Sequence, residues 1–161
     1  MWLMKIDSSK ATASDLSRDE DLSIAIMNLV SLEEHFFFTS QKTGNSKYLE
    51  MLDSVRKLRI SLLKKMVKNP EGEEWCISKH LLASSMRLYE VGTKELSSGD
   101  IEEANSYFES AFELYSTFFA INLKLVTPKE IEKKQQESGK KPSGNKFSEI
   151  IKKIVDCCKE W

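Results

Sequence analysis

Apolar residues recur at helical spacing along most of the chain, and they mark out four long amphipathic segments. The clearest run repeats an apolar residue every seven positions, at Trp75, Leu82, Tyr89 and Leu96. This spacing predicts a helix with one core-facing stripe. We expect the helix to begin at Pro70, where the missing N–H costs nothing, and to stop at Gly99, which tolerates a left-handed conformation.

A second helix is predicted immediately after this stop. Asp100 with Glu103 forms a capping box, in which each side chain satisfies a free backbone N–H at the helix start. The following apolar and small residues recur at three and four and are expected to be buried: Ile101, Ala104, Phe108, Ala111, Tyr115, Phe118 and Leu125. Because the connection is short, the two helices should form an antiparallel hairpin.

The small residues of this hairpin carry a resemblance. Gly92, Ala104, Phe108 and Ala111 have the spacing of the small and aromatic residues in a tetratricopeptide repeat. Glu95 stands where that repeat has a tyrosine, and no second copy follows. We interpret the pattern as small residues that let the two helices approach closely.

The first part of the chain predicts another hairpin. Ser17 with Glu20 reads as a capping box for a helix that should end near Thr39. The turn lies in residues 41–46, and a second helix is expected over residues 48–68, ending before Asn69 and Pro70. Three consecutive phenylalanines, Phe36, Phe37 and Phe38, cannot all face one side of a helix. At least one should therefore lie at the rim or surface, as a candidate contact point.

Four long helices with short connections predict an all-α, up-down-up-down four-helix bundle. We expect a loose arm over residues 1–16, the bundle over 17–126, and a flexible, somewhat basic linker over 127–145. Residues 146–161 predict a short amphipathic helix with its apolar face at Phe147, Ile150, Ile151 and Ile154. This tail helix would dock on a partner, pair with a second copy, or pack on its own bundle as a fifth helix.

Composition and charge narrow the function classes. The 161 residues carry a net charge of −1, which gives no strong nucleic-acid signal. Charge is nevertheless uneven, because the charged residues of 48–68 are mostly basic, whereas those of 100–116 are all acidic. No apolar run is long enough to span a membrane, and the odd set of three cysteines indicates a reducing compartment. We therefore expect a cytoplasmic protein.

Two groups of residues are candidates for a site inside the bundle. Cys76 and His80 are four residues apart on one helical face and are suited to bind a metal ion. Similar heights along the four helices make a second set a candidate polar pocket for a small molecule: Asn28, Arg59, His80 and Tyr115. The alternative for both sets is boundary side chains whose polar ends reach water.

No catalytic motif accompanies these residues. The Glu-x-x-His pattern of di-iron bundles is absent, as are phosphate-binding glycine loops and a nucleophile elbow. The sequence therefore calls for no cofactor and favours a non-enzymatic helical bundle that acts through protein contacts or self-association. The alternative is a bundle with an internal small-molecule or metal site near His80.

Overall fold

The computed structural model describes residues 13–126, with side chains from residue 16 onward, and these residues form two helical hairpins. The four helices are α1 (Ala13–Thr43), α2 (Lys47–Met66), α3 (Glu74–Ser98) and α4 (Ile101–Asn122). Helix α1 packs along α2, and α3 packs along α4. The predicted all-α four-helix bundle is confirmed. The part of the chain that is described contains no strand.

Several predicted segments lie outside residues 13–126. Residues 1–12 of the predicted arm and the predicted linker over 127–145 lie outside the described residues. The same holds for the predicted tail helix over 146–161, with Phe147, Ile150, Ile151 and Ile154. These predictions stay predictions.

The turns at one end of the bundle follow the sequence signals. Gly44 and Gly99 have φ angles of 66° and 91°, in the left-handed region that ends a right-handed helix. The carboxylate of Asp100 accepts a hydrogen bond from the backbone N–H of Glu103 at 3.0 Å, which is one half of the predicted capping box, whereas the Asp100 N–H donates to the Glu95 carbonyl at 3.0 Å. The predicted stop and restart between α3 and α4 are therefore confirmed.

Two predicted helix starts are wrong. Helix α1 begins at Ala13, so Ser17 lies inside the helix and caps nothing. Helix α3 begins at Glu74 instead of Pro70, because Asn69 and Gly72 have φ angles of 49° and 54°. Left-handed residues on both sides of Pro70 interrupt a right-handed helix.

Glu74 fixes this connection between the hairpins. Its buried carboxylate accepts hydrogen bonds from Lys124 Nζ at 2.6 Å and from the Glu71 backbone N–H at 3.1 Å. The hydrogen bond from Lys124, together with that from Glu71, holds the pKa of the Glu74 carboxyl below its ordinary value, although burial opposes this shift. The end of α4 is thereby tied to the start of α3.

The main apolar core lies toward this connection, at the end of the bundle opposite to Gly44 and Gly99. All four helices contribute buried side chains to it: Ile26, Met27, Leu63, Val67, Leu82, Phe118 and Phe119. The hydroxyl groups of Ser23 and Tyr115 hydrogen-bond at 2.6 Å and so join α1 to α4. We call this end of the bundle the closed end.

Small residues form the seam between α3 and α4. Ser78, Ser85 and Gly92 are buried and recur every seven residues on α3. The Ser85 hydroxyl donates to the Ala111 carbonyl at 2.8 Å, which brings the two helices close together. Near the closed end, the Asn122 amide donates to the Ser78 hydroxyl at 3.2 Å. The predicted close packing at Gly92 is confirmed, since Phe108 lies against it.

Candidate functional site

The core-facing stripe of α3 continues beyond the core. Leu82 is fully buried, but Tyr89 and Leu96, which follow it at intervals of seven residues, are each 49% exposed. The prediction that Tyr89 and Leu96 are core residues is therefore wrong. Residues seven apart lie on nearly the same helical face, so the face that is covered at Leu82 is uncovered one and two heptads later.

Helix α1 also changes from buried to exposed along one face. Ile26 is fully buried, whereas Phe37, which lies three helical turns further along the same face, is 47% exposed. Phe38 is 57% exposed, and its ring contacts that of Phe37 edge-on at 5.1 Å between centroids. The prediction that at least one of the three phenylalanines reaches the surface is confirmed.

The start of α4 adds a third exposed apolar group. Ile101 is 70% exposed, so its predicted burial is wrong. It follows the Gly99 turn directly, and Leu96 precedes that turn. We call the end of the bundle that holds the Gly44 and Gly99 turns the open end. We define the inter-hairpin surface as five exposed apolar residues that lie from the charged contacts toward this end: Phe37, Phe38, Tyr89, Leu96 and Ile101. Large apolar side chains that stay exposed at one end of a bundle are candidates for a contact site.

A layer of charged groups separates the core from this surface. The almost fully buried Arg59 binds both carboxylate oxygens of Glu33, at 2.7 and 3.2 Å. Arg56 approaches the same carboxylate at 3.7 Å. Such a bidentate pair fixes the geometry of α1 against α2.

Arg87 makes the corresponding contact between hairpins. It donates to the Ser31 hydroxyl at 2.6 Å and lies 3.5 Å from the Glu34 carboxylate. Glu34 therefore pairs with Arg87. This contact joins α1 to α3 between the core and the inter-hairpin surface.

The four residues proposed for a polar pocket have separate surroundings. Asn28 is exposed and its amide donates to the Ile24 carbonyl, while His80 is exposed. Arg59 binds Glu33, and the Tyr115 hydroxyl bonds to Ser23. The polar groups of Asn28, Arg59 and Tyr115 are thus each hydrogen-bonded to another residue of the bundle.

The proposed metal pair is exposed to solvent. Cys76 and His80 both lie at the surface of α3. Across residues 13–126, no group of three or more His, Cys, Asp or Glu side chains is placed to hold a metal ion. Zinc sites use at least three protein ligands, so further ligands would be needed to complete this one. Metal binding by Cys76 and His80 stays a prediction.

A second apolar surface lies between α1 and α2. Phe36, Met51 and Val55 line a shallow depression of about 350 Å³, with Lys47, Glu50 and Ser54 at its edge. Leu32 lies one helical turn before Phe36, and Leu58 one turn after Val55, on the same sides of their helices. We call the depression together with Leu32 and Leu58 the outer groove. Leu58 is 50% exposed. The groove is distinct from the inter-hairpin surface, because the consecutive residues Phe36 and Phe37 leave α1 about 100° apart.

Helices α2 and α4 carry opposite charge. Helix α2 has six basic residues: Lys47, Arg56, Lys57, Arg59, Lys64 and Lys65. Helix α4 has four acidic residues and no basic one: Glu102, Glu103, Glu109 and Glu113. In the part of the chain that is described, the ion pairs of α2 reach α1 or stay within α2, and none reaches an acid of α4.

Sequence reasoning placed only part of these two surfaces. It singled out the three phenylalanines, but it assigned Tyr89, Leu96, Ile101 and Leu58 to the core and assigned no role to Met51. The heptad of α3 shows that Leu82, Tyr89 and Leu96 share a face. Nothing in that repeat shows where the opposite hairpin stops covering it.

The chain was also compared with known proteins. No family model matches it, and neither a curated protein nor a solved structure shows significant similarity to it. Among the helices of residues 13–126, none combines the length and the apolar character needed to cross a membrane.

Proposed function

We propose that the protein is a non-enzymatic helical bundle that acts through protein contacts, and that the inter-hairpin surface is its contact site. The observation that carries this proposal is the change from buried Leu82 to half-exposed Tyr89 and Leu96 on one face of α3. A side chain that is half exposed in the single chain leaves apolar area that a partner covers on binding.

The residue types at this surface support a contact role. Aromatic side chains bury a large area at a small cost in conformational entropy, which is why they are common at protein interfaces. Phe37, Phe38 and Tyr89 supply three of them. The buried Arg59 and Glu33 pair beneath holds α1 rigidly against α2, so the phenylalanines are presented on a firm support.

Charge favours a second copy of this chain as the partner. Helix α2 carries six basic residues, the charged residues of α4 are all acidic, and each copy offers both helices. The opposite charges would attract two copies at long range and so speed their encounter, without placing α2 in the contact. The apolar surface would supply the affinity.

Sedimentation velocity of the full chain tests this proposal. We expect a dimer at micromolar concentrations that dissociates when Phe38→Glu places a charge in the apolar contact. We also expect weaker association at high salt, because exposed charges are screened within about 8 Å at physiological ionic strength.

Leu58→Glu is the matched control. It introduces the same charge at a similarly exposed apolar position of the outer groove, outside the proposed contact. It should leave the dimer intact, and helical content by circular dichroism should match the unsubstituted chain for both variants. A wild-type monomer at every concentration and salt level would contradict self-association.

A further inference from the structure

The outer groove is a second apolar surface that the proposed dimer contact does not use. It runs between two antiparallel helices, with Phe36 on one side and Met51, Val55 and Leu58 on the other. We propose that residues 146–161 of the same chain bind in this groove as an amphipathic helix.

The apolar stripe of the tail is long enough to cover the groove. On α2 the groove residues run from Met51 to Leu58, a separation of seven positions or ~10 Å at ~1.5 Å per residue. In the tail segment, Phe147 and Cys158 are eleven positions apart, or ~16 Å in a helix. A helix that lies along the groove therefore covers its full length.

The tail segment has the face that such a groove requires. Its apolar residues fall on a single side of a helical projection: Phe147, Ile150, Ile151, Ile154, Val155 and Cys158. The depression of about 350 Å³ at Phe36 has room for a bulky side chain such as that of Phe147. This is the pattern by which an amphipathic helix binds in an apolar groove.

The intervening chain is long enough to make this contact within one molecule. The described residues end at Val126, near Lys124 and Glu74 at the closed end. Residues 127–145 can span at most ~60 Å, whereas α2 itself is only ~30 Å long. A tether of this kind gives a local concentration on the order of millimolar, which favours the chain's own tail over a second copy.

Thiol alkylation of the full chain tests the proposal. Cys158 lies on the apolar face of the tail stripe, and the exposed Cys76 on α3 is a reference within the same molecule. Rates at each cysteine are read by peptide mass spectrometry. We expect Cys158 to react at least about fivefold more slowly than Cys76, because alkylation has to wait for the docked helix to open.

Two substitutions identify the surface. Leu58→Glu in the outer groove should raise the Cys158 rate toward that of Cys76, and Phe38→Glu in the inter-hairpin surface should leave it unchanged. Tenfold dilution should also leave it unchanged, since the contact is intramolecular. Hydrogen exchange of residues 147–158 should show the same dependence on each substitution.

Three results would overturn the proposal. These are equal rates at Cys158 and Cys76 in the unsubstituted chain, no change with Leu58→Glu, and loss of protection on dilution, which would assign the tail to a second copy. The proposal does not depend on the inter-hairpin contact. A chain that sediments as a monomer but protects Cys158 would contradict the dimer and support the docked tail.

Discussion

The ring of Phe108 lies so close to Gly92 that a Cβ added to the glycine would come within 2.6 Å of the ring carbon Cε1. The same Cβ would lie 3.2 Å from the Ala104 carbonyl oxygen. Gly92→Ala should therefore destabilise the protein, although alanine favours the helix by about 1 kcal/mol. Since overpacking costs about 1–3 kcal/mol, we expect a net loss of about 1 kcal/mol in urea unfolding.

Ser84→Ala is the control for this substitution, because Ser84 is exposed on the same helix. It should be neutral or slightly stabilising, as helix propensity alone dictates. Combining Gly92→Ala with Phe108→Leu should recover part of the loss by removing the ring edge. If Gly92→Ala were as stable as Ser84→Ala, the close seam between α3 and α4 would be refuted.

Removing one partner of the buried ion pair should be costly. Arg59→Met leaves the Glu33 carboxylate in a largely buried position without its bidentate partner. We expect the free energy of unfolding to fall by about 3 kcal/mol, the lower end of the range for a broken buried pair, because Arg56 stays near the same carboxylate.

The double variant Arg59→Met with Glu33→Leu should recover much of this loss, since replacing both charges leaves no unpaired group. Lys57→Met serves as the exposed comparison, because its pair with Asp53 lies at the surface. Its effect should stay below about 1 kcal/mol. Equal losses for Arg59→Met and Lys57→Met would show that the burial of the Arg59 pair does not matter for stability.

The Glu74 carboxylate should make stability depend on pH in the acid range. Its folded-state pKa lies below the ordinary value of 4.5, so the ionised form stabilises the fold above about pH 4.5. This contribution is lost as the pH falls through the lowered folded-state pKa. Glu74→Gln should therefore reduce stability near neutral pH by about 1 kcal/mol, and the difference from the unsubstituted chain should shrink below pH 4.5.

Lys124→Met tests the cause of this shift. It removes the hydrogen bond that lowers the pKa most and should weaken the acid-range pH dependence in chemical unfolding experiments. If the stability difference between Glu74→Gln and the unsubstituted chain were constant from pH 7 to pH 3, the lowered pKa of Glu74 would be refuted.

Local sequence signals predicted the turn between α3 and α4 and the close packing of these two helices. Gly99 and Asp100 together determine where α3 ends and α4 begins, because a left-handed residue followed by a capping carboxylate works through neighbouring backbone groups alone. Gly92 indicated the close seam for a similar reason, since only a residue without a side chain admits a ring at that distance.

Properties that depend on distant parts of the chain were harder to predict. Tyr89 and Leu96 continue the stripe of Leu82, and their exposure depends on where α1 stops covering α3. The partner of Arg59 was missed for the same reason, because Glu33 belongs to another helix. At Pro70, the left-handed conformations of Asn69 and Gly72 overrode the preference of proline for a first helical position.

Hydroxyl-radical footprinting of the full chain, at concentrations below and above its association range, tests the inter-hairpin surface most directly. We expect modification of Phe38 and Tyr89 to fall several-fold at the higher concentration, because a partner covers them, while modification of Leu58 stays constant. Unchanged modification of Phe38 and Tyr89, or a loss confined to Leu58, would contradict the inter-hairpin surface as the contact site.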